Sequence, residues 1–290
     1  MNNLFKLTGL SLASLLVGCA AVYPFLQADP RADARQLADW QMPSKLAALE
    51  SADQMKLLAR LTYPDLMPKL NPVPDFASIK DNDTRKKAFF EYLTPFIERE
   101  NARIEKLRPQ IEELRAKLTA GQQLTVEEYA FVYSLFDEYR IDMLDADVEG
   151  LNELLVRVDV LPVSLVLTQA AKESGWGSSR FAVEGYNFFG QWCFKAGCGV
   201  VPSRRGAGRY HEVAVFTDAA SSVNAYFYNL NTFYTYEELR RIRAQLRQAD
   251  GAVAAHKLAA GLVRYSERGQ QYVEEITAMI HSTTKLLGAS

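Results

Sequence analysis

The residues that could do chemistry cluster around one glutamate. Val160-Leu161-Pro162 leads into Val163-Ser164-Leu165-Val166-Leu167-Thr168-Gln169-Ala170-Ala171, where proline suits a first helical turn and the apolar residues make a buried helix. The run closes on Lys172-Glu173-Ser174-Gly175-Trp176-Gly177, so the glycines stop the helix and leave Glu173 at the end of an apolar rod beside an indole. A carboxyl group desolvated in this way has its charged form disfavoured. Its pKa rises and it stays protonated near neutral pH, as a general acid must. A surface glutamate in the last turn of a core helix would read the same way, so the surrounding residues have to decide. Glu212, in Tyr210-His211-Glu212-Val213-Ala214-Val215-Phe216, is a second carboxylate on a strand-like alternation that faces it to solvent. His211, His256 and His281 show no ligand spacing, and no phosphate loop, dinucleotide fingerprint or serine-nucleophile elbow is present. No metal and no cofactor are implied.

The elements that position these groups belong to an ordinary globular chain. Of 290 residues, 33 are Lys or Arg and 35 Asp or Glu, and the net charge of -2 leaves no basic field to bind nucleic acid. From Asp83 to Leu118 the pattern is helical: Leu93, Ile97, Ile104, Leu107, Ile111, Leu114 and Leu118 recur at spacings of three and four, with Glu100 in the one gap. Pro95 and Pro109 should kink or interrupt it. The heptads are too few for an intermolecular coiled coil, so the helix should pack on its own domain and the chain should be a monomer. Thr125 to Leu144 reads as a further helix, opened by Thr125 and Glu128 in capping-box spacing. Upstream, a short helix near residues 44–61 precedes Pro64, Pro68, Pro72 and Pro74, which favour extended backbone.

At the amino terminus, Lys6 precedes an apolar stretch from Leu7 to Val17, shorter than the roughly 20 residues that span a bilayer. It reads as a signal segment, and Leu15-Leu16-Val17-Gly18-Cys19-Ala20 resembles a bacterial lipobox. Cleavage would make Cys19 the acylated first residue, and Ala20 resembles lipoproteins sent to the outer membrane. The expected division is therefore 1–18 signal peptide, 19–78 tether, 79–145 helical region and 146–290 catalytic domain.

The stretch Ala170-Ala171-Lys172-Glu173-Ser174-Gly175-Trp176-Gly177-Ser178-Ser179-Arg180-Phe181-Ala182, with Tyr186-Asn187-Phe188-Phe189-Gly190-Gln191-Trp192, closely resembles the signature of glycoside hydrolase family 73. Arg157-Val158-Asp159, Trp192-Cys193-Phe194, Gly197-Cys198-Gly199 and Asn229-Leu230-Asn231-Thr232 narrow the resemblance to its Bax-like branch, over roughly residues 80–288. The resemblance implies an α+β, mainly α, lysozyme-like domain with a small β-hairpin lobe. It also implies cleavage of the β-1,4 bond after N-acetylglucosamine in peptidoglycan. The family's acid falls on Glu173, its Asn-x-Phe-Gly cleft element on Asn187, Phe189 and Gly190, and its late tyrosine on Tyr265. Many members carry a second carboxylate on the hairpin's first strand, but Gly197 to Pro202 has none. Glu212 stands nearest, and the substrate's own 2-acetamido group is the other option. Most aromatics between Trp176 and Phe194 should be core. Among them Trp176, Tyr186 and Trp192 are the candidate sugar contacts, with Tyr186 and Trp192, flanking the turn, the better placed. Arg204, Arg205 and Arg209 could meet stem-peptide carboxylates or form a solvated turn. Cys193 and Cys198 lie across a turn in a compartment where disulfides persist, and with Cys19 acylated they pair without a leftover thiol. The partners are then peptidoglycan strands and the membrane. A lytic transglycosylase or muramidase, and a non-catalytic peptidoglycan-binding lipoprotein, are the alternatives.

Because one acylated residue would carry the attachment, Cys19→Ser should release the protein to the soluble periplasmic fraction or leave it uncleaved. Fractionation with immunoblotting checks this, and a processed variant still bound to washed membranes would contradict it.

Overall fold

Asp81 opens the first long element, its side chain accepting from Thr84 N at 2.8 Å, and α1 then runs without a break from Asn82–Thr119. The computed structural model describes residues 72–143, 145–194, 197–201 and 211–288. The signal segment, Cys19, the helix expected near 44–61 and Arg204, Arg205 and Arg209 lie outside them. Leu93, Ile97, Ile104, Ile111 and Leu114 are buried as their spacing predicts, and Leu107 and Leu118 are partly buried. Interruption at the prolines does not occur. Pro95 and Pro109 sit on the exposed face of α1, where the carbonyls they leave without a donor can bond to water.

Helix α2, Val126–Glu138, begins with both halves of the Thr125/Glu128 capping box. It ends six residues short of the expected Leu144. Arg140 adopts a left-handed φ of 54°, Ile141 N bonds to Phe136 O at 2.8 Å and Arg140 N to Asp137 O at 3.2 Å, which is Schellman closure with an arginine where glycine is usual. Helix α3, Val148–Arg157, follows. Helix α4, Val163–Ser174, starts after Pro162 and stops at Gly175, as the flanking proline and glycine predict. Leu165, Val166, Leu167, Ala170 and Ala171 are all buried on it, because α1 and α9 (Gln270–Leu286) pack on different sides.

After the short helix α5, Arg180–Gly185, the chain forms an antiparallel sheet of β1 (Trp192–Cys193), β2 (Gly199–Val200) and β3 (Glu212–Ala214) in the order β1-β3-β2. Helices α6 (Ala219–Thr232), α7 (Glu237–Asp250) and α8 (Ala255–Leu258) precede α9. The fold is thus mainly α with a small sheet, as expected. Residues 70–290 form one compact unit, so α1 and α2 share a core with everything downstream.

Three consecutive residues after α4, Gly175, Trp176 and Gly177, have positive φ of 58°, 58° and 75°. At Gly177 space is as restrictive as torsion: a Cβ there would lie 2.5 Å from Phe76 Cδ2 and 3.0 Å from Phe89 Cδ2. Gly177→Ala should therefore cost about 2–4 kcal/mol, strain and overpacking together. Gly121→Ala, at φ 73° with open space around it, should cost only about 1–2 kcal/mol. Urea unfolding of both variants checks this, and equal losses would remove the packing account.

Candidate active site

Gln169 and Glu173 stand one turn apart on α4 and so share a face. Helix α9 lays Tyr272 across both. Tyr226 of α6 donates its hydroxyl to Gln169 Oε1, Gln169 Nε2 donates to the Tyr272 oxygen at 2.9 Å, and Tyr272 donates to Glu173 Oε1 at 2.8 Å. Each bond fixes the direction of the next. The chain ends on the glutamate.

Around it stand four tyrosines. The Tyr265 and Tyr272 rings stack at 5.4 Å and 9°, Tyr236 lies 6.1 Å from Tyr265, and Tyr226 stacks on Phe189 at 4.1 Å. Burial pushes the Tyr226 and Tyr265 hydroxyls far above their ordinary range and Tyr236 up to about 12, so all remain neutral donors. Burial also raises the Glu173 carboxyl, against the opposing pull of the Tyr272 hydroxyl and Lys172. Lys172 is drawn aside by Glu275, whose carboxyl is held down at about 2 by Arg268 and by Lys172 itself.

The turn after α5 closes the other side. Asn187, buried, donates to Gln191 O at 2.8 Å and Ala214 O at 2.9 Å and accepts from Gln191 N at 3.0 Å. It ties turn to sheet. Tyr265 donates to Phe189 O at 2.9 Å, fixing the carbonyl that precedes Gly190. Gly190 is exposed at φ 65°, and a Cβ on it would sit 3.8 Å from Glu173 Oε2, so the backbone here lies against the free edge of the carboxyl.

Several expected positions are corrected. Tyr186 is 1% exposed, caps α5 with a left-handed backbone and belongs to the core rather than to a cleft wall. Trp176 packs on Phe90 at 5.4 Å and Phe89 at 6.0 Å, with Lys86 Nζ 5.7 Å from its ring, so tyrosines rather than this indole surround Glu173. Phe189 is buried on Tyr226. Trp192 is 53% exposed and stacks on His211 at 4.1 Å, an open aromatic face as expected. Glu212 does not face solvent. It is 7% exposed, and its oxygens accept from Gly197 N at 3.1 Å and Gly199 N at 2.9 Å. Cys193 and Cys198 form the expected disulfide, with Cα atoms 6.2 Å apart. Their sulfurs lie near Glu212, but bonded to each other they leave no thiolate to ligate a metal. Gln169, Tyr226, Tyr236 and Tyr272 went unrecognised in the sequence. The one local signal was Gln169, a polar residue a turn before Glu173 in an apolar helix.

A mainly helical domain thus holds one desolvated carboxyl group at a helix end, beside a turn exposed at Gly190 and a hairpin carrying the exposed Trp192. Residues 149–285 match the glucosaminidase family, described as mannosyl-glycoprotein endo-β-N-acetylglucosaminidase. Over 223 residues the chain is 34% identical to protein bax of Escherichia coli (strain K12), covering 76% of this chain and 78% of that protein. No solved structure matches it. The chain belongs to the Bax-like branch of glycoside hydrolase family 73, glycosidases that act on peptidoglycan in the cell envelope.

The raised Glu173 pKa has a consequence for stability. Below the ordinary value of 4.5 the group is protonated folded and unfolded; above it the unfolded chain ionises first, so stability falls until the folded group also titrates, then levels off. Glu173→Gln should show no such loss. Its thermal midpoint should match wild type near pH 4 and exceed it at pH 8; a constant difference across that range would contradict the desolvated carboxyl.

Proposed function

We propose that this protein hydrolyses the β-1,4 bond between N-acetylglucosamine and N-acetylmuramic acid in peptidoglycan, with Glu173 as general acid. The observation that carries the reading is the Glu173 carboxyl itself. Burial favours its protonated form, Tyr272 fixes Oε1, and Oε2 lies at the exposed Gly190 backbone where a glycosidic oxygen can approach. Glu173 gives its proton to the leaving oxygen as the bond from C1 breaks. The carboxylate left behind is stabilised by the Tyr272 hydroxyl, and it takes a proton back from the water that completes hydrolysis. Tyr265 acts as a positioning residue through Phe189 and Gly190, and Asn187 holds the same turn to the sheet. Trp192 offers its open face to a sugar ring.

Glu212, with both oxygens accepting from backbone amides, holds the hairpin and is not the nucleophile. The 2-acetamido oxygen of the substrate attacks C1 instead, giving an oxazolinium that water opens. Attachment through an acylated Cys19 would keep the enzyme at the outer membrane facing its substrate.

Mass spectrometry of digested sacculi tests the reading. Reducing N-acetylglucosamine ends are expected, with release lowered about 10²–10⁴-fold in Glu173→Gln. Anhydromuramic ends would make the protein a transglycosylase, reducing muramic ends a muramidase, and no product a binding protein. For the nucleophile, a thiazoline analogue of N-acetylglucosamine should inhibit, and glycan de-N-acetylated at glucosamine should resist cleavage. Unimpaired cleavage of that glycan would remove the acetamido step.

A further inference from the structure

A groove of about 1100 Å³ lies between α3, α7 and the segments around Arg140, Phe233 and Arg264. Two of its guanidinium groups are matched within the fold: Arg157 meets Glu153 at 2.7 Å and Arg241 meets Glu238 at 2.8 Å. Arg140, Arg240 and Arg264 have no carboxylate at ion-pair distance among the described residues. Arg240 is only 3% exposed. Its Nη1 is used by the carbonyls of Leu230 at 3.0 Å and Phe233 at 2.8 Å, which carry no compensating charge. Burial lowers its pKa, and the carboxylates that oppose this, Glu153 and Glu237, stand in the same lining without meeting it at ion-pair distance, so the groove wall can still take an anionic ligand.

Arg140 is held in place at some cost. It occupies a left-handed backbone position that a side chain rarely adopts, its guanidinium lies 5.2 Å from the Phe233 ring and 5.3 Å from Tyr228, and its Nε donates to the Tyr228 hydroxyl at 2.7 Å. Beside it Tyr234 is 76% exposed. Fixed arginine and open aromatic surface are the groups that anchor peptides. The lining also carries Asp142 and Glu237, neither ion-paired among the described residues, so the groove can take an ammonium group as well as carboxylates. Thr235 and Arg264 of the lining are chain neighbours of Tyr236 and Tyr265, the tyrosines whose hydroxyls feel the Glu173 charge.

We infer that this groove binds the peptide stem carried by N-acetylmuramic acid, a reading that rests on peptidoglycan as the substrate. The stem has a carboxylate on its glutamate, on its diamino acid and at its terminus, and an ammonium on the diamino acid. Those charges match the arginines and acids of the groove in sign. The enzyme then favours glycan that still carries its stems.

The test uses the free stem tetrapeptide, L-Ala-D-Glu-diaminopimelate-D-Ala, titrated calorimetrically into the whole protein. Saturable binding is expected, weakened about tenfold by Arg264→Ala and by Arg140→Asn, the loss of a charge-assisted contact. Asparagine tolerates the left-handed backbone at 140, and Arg264 is exposed, so the variants should fold; equal thermal midpoints check this. The same peptide with its carboxylates amidated should not bind. In turnover, the ratio of kcat/KM on stem-bearing to amidase-stripped glycan should fall about tenfold in both variants. No binding at millimolar peptide, equal binding of the amidated form, or an unchanged ratio would overturn the inference. If no glycan is cleaved but the peptide binds, the hydrolase reading fails and the groove assignment stands. If glycan is cleaved and the peptide does not bind, only the groove assignment is lost.

Discussion

The carboxylate of Asp159 is 1% exposed and sits where the chain passes from α3 to α4. Arg247 meets it with Nε at 2.8 Å and with Nη2, Arg108 lies at 3.6 Å and Arg243 at 3.8 Å. Val160 N donates to the same group at 2.8 Å. Arg243, with no exposed surface at all, spends its Nη atoms on carbonyls at 156, 157, 159 and 160 and on Asn231 Oδ1. One charged node thus joins α1, α6 and α7 to the five residues that feed the glutamate-bearing helix. Asn101 completes the grip, exchanging two bonds with the backbone of Leu161. Removing one partner of such a node strands a buried charge, at about 3–5 kcal/mol. The height at which α4 enters the core, and hence where Glu173 emerges, depends on it.

With α4 so placed, α9 supplies the hydroxyl that meets Glu173. Thr168 meets Thr283 at 2.9 Å at one end of the α4 and α9 contact, and Tyr272 meets Glu173 at the other, so the two helices are registered by polar contacts inside an apolar interface. The line from Tyr226 through Gln169 to Tyr272 has a single direction of donation, which leaves the last hydroxyl proton only the glutamate to bond. Two effects of opposite sign then act on one carboxyl. Desolvation dominates and favours the protonated form; the Tyr272 hydroxyl favours the carboxylate.

What the sequence made legible was local. Pro162 and Gly175 bracket α4, Thr125 and Glu128 start α2, the spacing of three and four gives the buried face of α1, and Cys193 and Cys198 are close enough in sequence to pair. What it hid was long-range. Tyr272 is 99 residues from Glu173 and Tyr226 is 57 from Gln169, and no periodicity connects them. Trp176 misled because adjacency to Glu173 suggested cover for the carboxyl, whereas three left-handed residues turn the chain and send the indole to Phe89 and Phe90 on α1. The prolines of α1 do not interrupt it, because a lost hydrogen bond matters little on a face open to water.

Glu212 misled for a reason that bears on the mechanism. Strands of two and three residues have too few ladder bonds to hold a register unaided. The sheet is held instead by side chains: the disulfide closes the turn, Asn187 bonds Ala214 O and Gln191 O, and Glu212 gathers the amides of Gly197 and Gly199 on either side of Cys198. Gly199 itself has no room for a side chain, since a Cβ would fall 2.0 Å from Val213 O, so the backbone there approaches close enough for its amide to be captured. A carboxylate committed to two amides can leave them to attack a sugar only by loosening the hairpin that presents Trp192. The stability of the small lobe therefore competes with any chemical use of Glu212, and the conflict disappears when the substrate brings its own nucleophile.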